Sequence, residues 1–213
     1  MILFTNVRVQ NDSELGALIA RLDAAVDPST RLGAGEADPG GIVHRVKAAL
    51  QAALRANELH LPARFRRPRP DTYARRLLHR DPGGRYSAVV MTWGPGQGTS
   101  LHDHSGLWCV DCVVDGEIAV TQYDLVAGQE EGAGGEGAGG SYAFAPQTYV
   151  TASRGEAGCL IPPFEYHTLA NASADRTSLT LHVYGGEMSQ CHVFEPAGDG
   201  TYRRVTRDLS YDE

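Results

Sequence analysis

The chain has 213 residues, with 19 Lys and Arg against 26 Asp and Glu, and therefore a formal net charge of -7 at pH 7. A chain with this negative charge lacks the basic surface that binds nucleic acid or an anionic membrane, so we expect neither as a partner. No stretch approaches the roughly twenty apolar residues of a membrane span, and the first residues lack the pattern of a signal peptide. We therefore expect a cytoplasmic protein, and the 42% hydrophobic content is enough for the core of one domain.

Two N-terminal segments carry apolar residues at helical spacing. The first follows an Asn-x-x-Glu start signal at Asn11 and consists of Leu15, Leu18, Ile19, Leu22 and Val26. The second consists of Ile42, Val43, Val46, Leu50 and Leu54. The segment between them, residues 27–41, is rich in Gly, Pro and Asp and is predicted to be a loop.

From Tyr86 onward the apolar pattern changes to period two, which is typical of strands. Asp115 and Gly116 lie between two apolar runs and predict a hairpin turn. Residues 128–140 are acidic and glycine-rich, without the Lys-Ser/Thr ending of a phosphate-binding loop, and are predicted to be a hairpin loop. We predict one domain, with residues 1–70 as a helical N-terminal extension and residues 71–213 as a β-barrel.

The most informative motif is His102-Asp103-His104, followed further along the chain by His167. Side chains two positions apart on a strand point to the same face, so His102 and His104 can both reach one ion inside a barrel. A lone histidine on a strand is more often a hydrogen-bonded core residue. Three histidines at one point, however, form a ligand set for a redox metal.

The spacing around these histidines resembles the two motifs of the cupin barrels. The first motif is matched by Gly96, His102, His104, Cys109 and Gly116, and the second, more loosely, by Pro162, His167 and Asn171. Cys109 stands where cupins usually carry a carboxylate ligand. The resemblance implies a mainly β fold, a double-stranded β-helix with a jelly-roll-like barrel, that binds a metal.

Three segments indicate a particular family within the cupins, namely residues 93–116, 181–184 and 191–194. Together they resemble the cysteine dioxygenases, or more broadly the thiol dioxygenases, over about residues 73–194. In that family three histidines without a carboxylate hold a mononuclear iron(II), and those positions match His102, His104 and His167. A site with three neutral ligands keeps the full charge of the ion and therefore favours a thiolate, whose formation the metal also promotes.

The resemblance also implies roles for residues outside the metal ligands. Arg75, in Tyr73-Ala74-Arg75, matches an arginine that grips the substrate carboxylate through a planar two-pronged contact that lysine cannot copy. Cys109 and Tyr184 match a pair that is cross-linked in some members. The alternatives are that Arg75 is a surface residue and that Cys109 remains a free thiol.

His182 and Tyr184 lie two apart on an apolar strand and are expected to face the same side. The resemblance implies that the Tyr184 phenol hydrogen-bonds to bound oxygen or substrate, while His182 and Thr180 hold it in place. The alternative is a buried polar pair without a chemical role.

Cys109 and Cys112 form a Cys-x-x-Cys pair, which in another context indicates a zinc site or a redox dithiol. On a strand, residues three apart face opposite sides, so the two thiols are expected to diverge. We therefore favour neither a zinc site nor a dithiol.

The residues after Tyr184 do not decide which thiol is the substrate. Gly185-Gly186-Glu187 replaces the Ser-Pro-Pro turn of most family members that oxidise cysteine, and resembles a branch that prefers 3-mercaptopropionate. Arg75 argues for a thiol that bears a carboxylate. The sequence thus predicts a monomeric Fe(II) enzyme that oxidises a small thiol with O2, with L-cysteine favoured. The alternatives are 3-mercaptopropionate, mercaptosuccinate or another mercapto acid as substrate, or a non-oxidative cupin metalloenzyme or binding module.

Overall fold

The computed structural model describes residues 7–27, 39–128, 141–163, 165–198 and 200–213. All but the first residue of the predicted hairpin loop at residues 128–140, and most of the predicted loop at residues 27–41, therefore lie outside the described residues. The helices are α1 (Val7–Val26) and α2 (Pro39–Arg55), followed by a 3₁₀ turn at Ala63–Arg66. The strands are β1 (Ala74–Arg80), β2 (Ser87–Trp93), β3 (Leu101–His102), β4 (Cys109–Asp115), β5 (Glu117–Gly128), β6 (Ser141–Ser153), β7 (Ala157–Leu160), β8 (His167–Asn171), β9 (Ser178–Tyr184), β10 (Gln190–Pro196) and β11 (Tyr202–Asp208).

Both predicted helices are present, although their starts differ from the prediction. α1 begins at Val7, so Asn11 lies inside the helix instead of capping it. A cap contributes only about 1 kcal/mol, which does not end a helix whose backbone hydrogen bonds continue past it. α2 begins at Pro39 because the fixed φ of proline suits the first helical position, so residues 39–41 are helical and not loop.

Five strands form an antiparallel sheet in the order β1-β2-β9-β4-β7. Its outer face packs on the two helices through buried residues that include Leu22, Leu50, Val90, Val110 and Leu181. Full burial of each such side chain contributes about 1.5–3 kcal/mol, so this contact fixes the helices on the sheet. The inner face points into the barrel and carries the alternate residues of the same strands.

The other six strands form a closed ring in the order β10-β11-β6-β5-β8-β3. The short strand β3 pairs with β8 through the single register pair His102 and His167, and with β10 on its other side. The fold is therefore mainly β, with two antiparallel sheets and two N-terminal helices, as the sequence predicted. Neither of the described helices is long and apolar enough to cross a membrane.

The predicted hairpin turn at Asp115-Gly116 is wrong. β4 pairs with β7 and β9, whereas β5 pairs with β6 and β8, so the chain passes from one sheet to the other at Gly116. Gly116 has a φ of 73°, and a Cβ there would collide with the Ser178 hydroxyl. Glycine is required because the chain turns sharply against its neighbour, and not because the two strands pair.

Candidate metal centre

The three predicted ligands converge at one point of the barrel. The ring centroids of His102 and His167 are 4.5 Å apart, those of His104 and His167 are 4.9 Å apart, and those of His102 and His104 are 5.5 Å apart. One possible ligand atom from each residue lies within 4.8 Å of the other two. The pairing of β3 with β8 places His167 opposite His102. His104 lies two residues after His102, just beyond the end of β3.

Hydrogen bonds orient two of these rings. Nδ1 of His102 donates to the carbonyl oxygen of Ser100 (3.0 Å) and Nδ1 of His167 donates to that of Glu165 (2.9 Å). This assigns the proton to Nδ1 and leaves Nε2 as the free lone pair on each ring. Among the described residues, the buried Nε2 of His167 has no hydrogen-bond partner. A buried polar atom without a partner is costly, and a metal ion would satisfy it.

The protonation of the cluster also suits a metal. Burial lowers the pKa of all three imidazoles, and the charge of a neighbouring histidine lowers the pKa of His102 and His104 further. The rings are therefore neutral at pH 7, which is the form that coordinates a cation. Donor set, orientation and protonation all fit a divalent transition metal.

A small pocket lies in front of the three histidines, with a cavity volume of about 20 Å³. Arg75 and Tyr184, both predicted from the sequence, line it together with the three ligands and His182. Apolar or soft side chains complete the wall, including Leu169, Met188, Cys191 and Leu209. The pocket therefore suits a small ligand and limits the access of water.

Arg75 is buried, with 5% of its surface exposed. Its Nη2 donates to the carbonyl oxygen of Met188 (2.7 Å) and its Nη1 to that of Ser210 (3.4 Å), while its Nε has no partner. Its guanidinium also lies 4.5 Å from the Tyr211 ring centroid. No described carboxylate pairs with this guanidinium, so its charge is available to an anionic ligand at the pocket.

The sequence did not reveal that Leu209 lines this pocket, or that residues after it contact β1. The backbone N–H of Arg75 donates to the Asp212 carboxylate (2.7 Å), and the backbone N–H of Asp212 donates to the carbonyl of Arg75 (2.7 Å). Nε of Arg76 donates to the carbonyl of Glu213 (3.1 Å). The segment after β11 is thus fastened to β1, which brings Leu209 and Ser210 to the arginine.

Cys109 and Tyr184 are direct register partners on the adjacent strands β4 and β9. Burial raises the pKa of both groups well above the usual range. The Tyr184 ring lies edge-on to His104, with centroids 5.6 Å apart. The Cys109 thiol donates to Oδ1 of Asp111 (2.9 Å). Cys112 packs on the helix side of the sheet, so the two cysteines diverge as predicted.

Asp111 is the residue that sequence reasoning missed. Its Oδ1 lies 2.6 Å from Nδ1 of His182, and its Oδ2 lies 4.0 Å from Nε2 of His167. Burial alone raises the pKa of this carboxyl, but the imidazoles of His182, His167 and His104 lower it more strongly, so the net shift is downward. Asp111 is two residues after Cys109, so strand alternation already places it on the inner face.

The expected contact between His182 and Tyr184 is replaced by another arrangement. Nδ1 of His182 faces Asp111, and Nε2 faces the Thr180 hydroxyl at 2.7 Å. Both ring nitrogens are therefore engaged, and none is left for the Tyr184 hydroxyl. The two rings instead lie nearly parallel, with an interplanar angle of 17° and centroids 6.0 Å apart.

The Gly185-Gly186 turn is explained by packing. A Cβ on Gly185 would collide with the Trp108 indole, and one on Gly186 would touch Leu107. Neither glycine lines the pocket. The turn therefore makes room for Trp108, and its direct contacts are not with the ligand site.

Comparison with known proteins agrees with this geometry. A family model described as Cysteine dioxygenase type I matches residues 42–197. Cysteine dioxygenase type 1 from Rattus norvegicus is 24% identical over 154 residues, which cover 72% of this chain and 70% of the relative. The protein of the same name from Danio rerio is 25% identical over 128 residues, which cover 58% and 56%.

Similar solved structures include a protein from Thermus thermophilus, with a TM-score of 0.41, 21% identity, and coverage of 60% of this chain and 96% of that one. Another is an uncharacterised protein with a double-stranded β-helix domain from Klebsiella pneumoniae, with a TM-score of 0.42, 17% identity, and coverage of 61% and 91%. The family match spans well over half of the chain. The chain therefore belongs to the cysteine dioxygenase type I family, and its fold is cupin-like.

Proposed function

We propose that this protein is an iron(II)-dependent thiol dioxygenase that oxidises a small carboxylate-bearing thiol, with L-cysteine favoured, to its sulfinic acid. One observation carries the proposal: three neutral histidines face the same small pocket as a buried arginine that has no carboxylate partner among the described residues. Membership of the cysteine dioxygenase type I family supports it.

His102, His104 and His167 would hold the metal, each through a neutral imidazole nitrogen. Iron(II) bound there would supply the redox chemistry that lets O2 react with a thiolate, which zinc cannot provide. No carboxylate belongs to the triad itself, so the positive charge at this point favours the thiolate form of the substrate.

Arg75 would bind the substrate carboxylate and so aim the thiol at the histidines. Its charge-assisted contact would be strong because the guanidinium is buried and already oriented by the carbonyls of Met188 and Ser210. Tyr184 would offer its hydroxyl as a hydrogen-bond donor in the same pocket. Leu169 and Leu209 would exclude water from the reacting groups.

The overall reaction is balanced without a further reductant, because a thiol and O2 together contain all the atoms of a sulfinic acid. The sulfur is oxidised by four electrons, and both oxygen atoms of O2 end on it. The thiol proton is displaced when the thiolate forms and returns to the product.

A second substrate, 3-mercaptopropionate, is favoured by one observation. Among the described residues that line the pocket there is no carboxylate, so none of these side chains would pair with the ammonium group of cysteine. Arg75 would bind the carboxylate of either thiol. Arg75 therefore does not distinguish the two substrates, and a comparison of their kcat/KM values would show which one is preferred.

The test is O2 consumption by protein loaded anaerobically with iron(II) or with zinc, using L-cysteine, 3-mercaptopropionate, mercaptosuccinate and cysteamine. We expect consumption with the iron-loaded protein and the carboxylate thiols, and a sulfinic acid by mass spectrometry. Equal turnover by the zinc-loaded protein would exclude a redox role and favour a non-oxidative cupin enzyme. No turnover with any thiol would favour a binding module.

A further inference from the structure

A cluster of polar side chains lies beside the three histidines, on the inner face of β4 and β9. Asp111 and His182 are register partners across these strands, and Oδ1 of Asp111 lies 2.6 Å from Nδ1 of His182. The same oxygen accepts a hydrogen bond from the Cys109 thiol at 2.9 Å. Cys109, Asp111 and His182 could together hold a metal ion, but their mutual contacts have the lengths of hydrogen bonds.

The neighbours of His182 determine which of its nitrogens carries the proton. The indole N–H of Trp93 can only donate, and it donates to the Thr180 hydroxyl at 2.9 Å. The Thr180 hydroxyl can therefore donate its own proton to Nε2 of His182, at 2.7 Å. Asp111, as a carboxylate, can only accept, so Nδ1 of His182 must be the protonated nitrogen. Every group in this chain of contacts is then satisfied.

A change in the orientation of the His182 ring would change the pocket. It lines the pocket, is 1% exposed, and its ring lies nearly parallel to that of Tyr184. Without an acceptor at Nδ1, the buried N–H would have no partner, and rotation of the ring or transfer of its proton to Nε2 would relieve this cost. Either change would alter the wall of the pocket beside Tyr184.

We propose that Asp111 is a positioning residue, which holds His182 through a proton on Nδ1 and thereby sets the pocket wall next to Tyr184. The kinetic part of this inference rests on the proposed thiol oxidation. The protonation pattern of His182 does not, because it follows from hydrogen bonds within the protein. Asp111 thus acts through His182 and is not itself a ligand of the metal.

The first test reads the proton directly. Protein labelled with ¹⁵N-histidine and loaded with diamagnetic zinc is measured by long-range ¹H–¹⁵N correlation NMR, with His182 assigned through His182→Gln. We expect the Nδ1–H pattern for His182 in the wild type and its loss in Asp111→Leu, which removes the acceptor but keeps a side chain of similar size. A wild-type His182 that carries its proton on Nε2 would overturn the proposal, whether or not the variant folds.

The second test is kinetic and uses iron-loaded protein. Asp111→Leu should lower kcat about tenfold or more while KM for the thiol changes less than about threefold, with one metal per chain retained. Asp81→Leu is the matched control, because Asp81 is also a buried carboxylate but pairs with Arg85 away from the pocket. It should leave kcat, KM and the His182 signals unchanged.

Three results would contradict the inference. The first is an unchanged kcat and His182 pattern in Asp111→Leu. The second is an equal loss of kcat in Asp81→Leu, which would show that loss of any buried carboxylate has this effect. The third is a second bound metal that disappears in Asp111→Leu, which would make the cluster a metal site. A wild type that oxidises no thiol would refute the proposed function, while the NMR result would still decide the role of Asp111.

Discussion

Replacement of Arg75 by alanine tests how the pocket selects its substrate. The guanidinium is 5% exposed and has no described carboxylate partner, so a substrate carboxylate would form its main charge-assisted contact. Loss of one hydrogen bond to a charged group costs about 1.5–3 kcal/mol. Because about 1.4 kcal/mol corresponds to a factor of ten, kcat/KM for a carboxylate thiol should fall about 10-fold to 150-fold, mainly through KM.

Steady-state O2 consumption measures this effect, and two controls give it meaning. Cysteamine has no carboxylate, so it should be a poor substrate for the wild type and should not be impaired further by Arg75→Ala. Arg76 is the matched residue, because it is 6% exposed on the same strand but bonds to the carbonyls of Arg67 and Glu213. Arg76→Ala should not raise KM selectively for carboxylate thiols. Equal losses for L-cysteine and cysteamine in Arg75→Ala would show that Arg75 has a structural role.

Three other perturbations address the metal, the cross-link and the turn. His102→Ala or His167→Ala should abolish iron binding or activity, measured by elemental analysis against about one iron per wild-type chain; full iron content in both variants would refute the ligand assignment. After turnover, intact-mass analysis should show a species about 2 Da lighter that is absent in Cys109→Ser, since a thioether to Tyr184 removes two hydrogens; an unchanged wild-type mass would leave Cys109 as a free thiol. Gly185→Ala should lower the free energy of unfolding by about 1–3 kcal/mol, because the added Cβ collides with Trp108. Gly158→Ala is the control and should not lower it, because a Cβ at Gly158 meets open space. Equal thermal stabilities of the two variants would contradict the packing argument.

Local patterns in the sequence predicted the features that depend on local geometry. Helical spacing identified the buried faces of both helices, including Leu22 and Leu50. The spacing of His102 and His104 correctly predicted that they converge, although β3 ends at His102 and His104 lies just beyond the strand. The structure brings His167, Arg75 and Tyr184 to the same pocket. The catalytic roles of these residues stay predictions, as do the single domain, the monomeric state and the cytoplasmic location.

Features that depend on strand pairing could not be predicted. Nothing near Gly116 indicates that the chain changes sheets there, because β4 finds its partners β7 and β9 far along the sequence. The contact of Asp111 with His182 also depends on the register of β4 and β9. Strand alternation alone could have placed Asp111 on the inner face, but not opposite a particular histidine.

A single turnover with labelled oxygen tests the proposed oxidation most directly. Protein loaded anaerobically with iron(II) is mixed with L-cysteine and ¹⁸O2, and the product is analysed by mass spectrometry. The proposed reaction predicts a sulfinic acid in which both oxygen atoms on sulfur are heavy. Incorporation of only one heavy atom, or formation of a disulfide without any heavy oxygen, would contradict it.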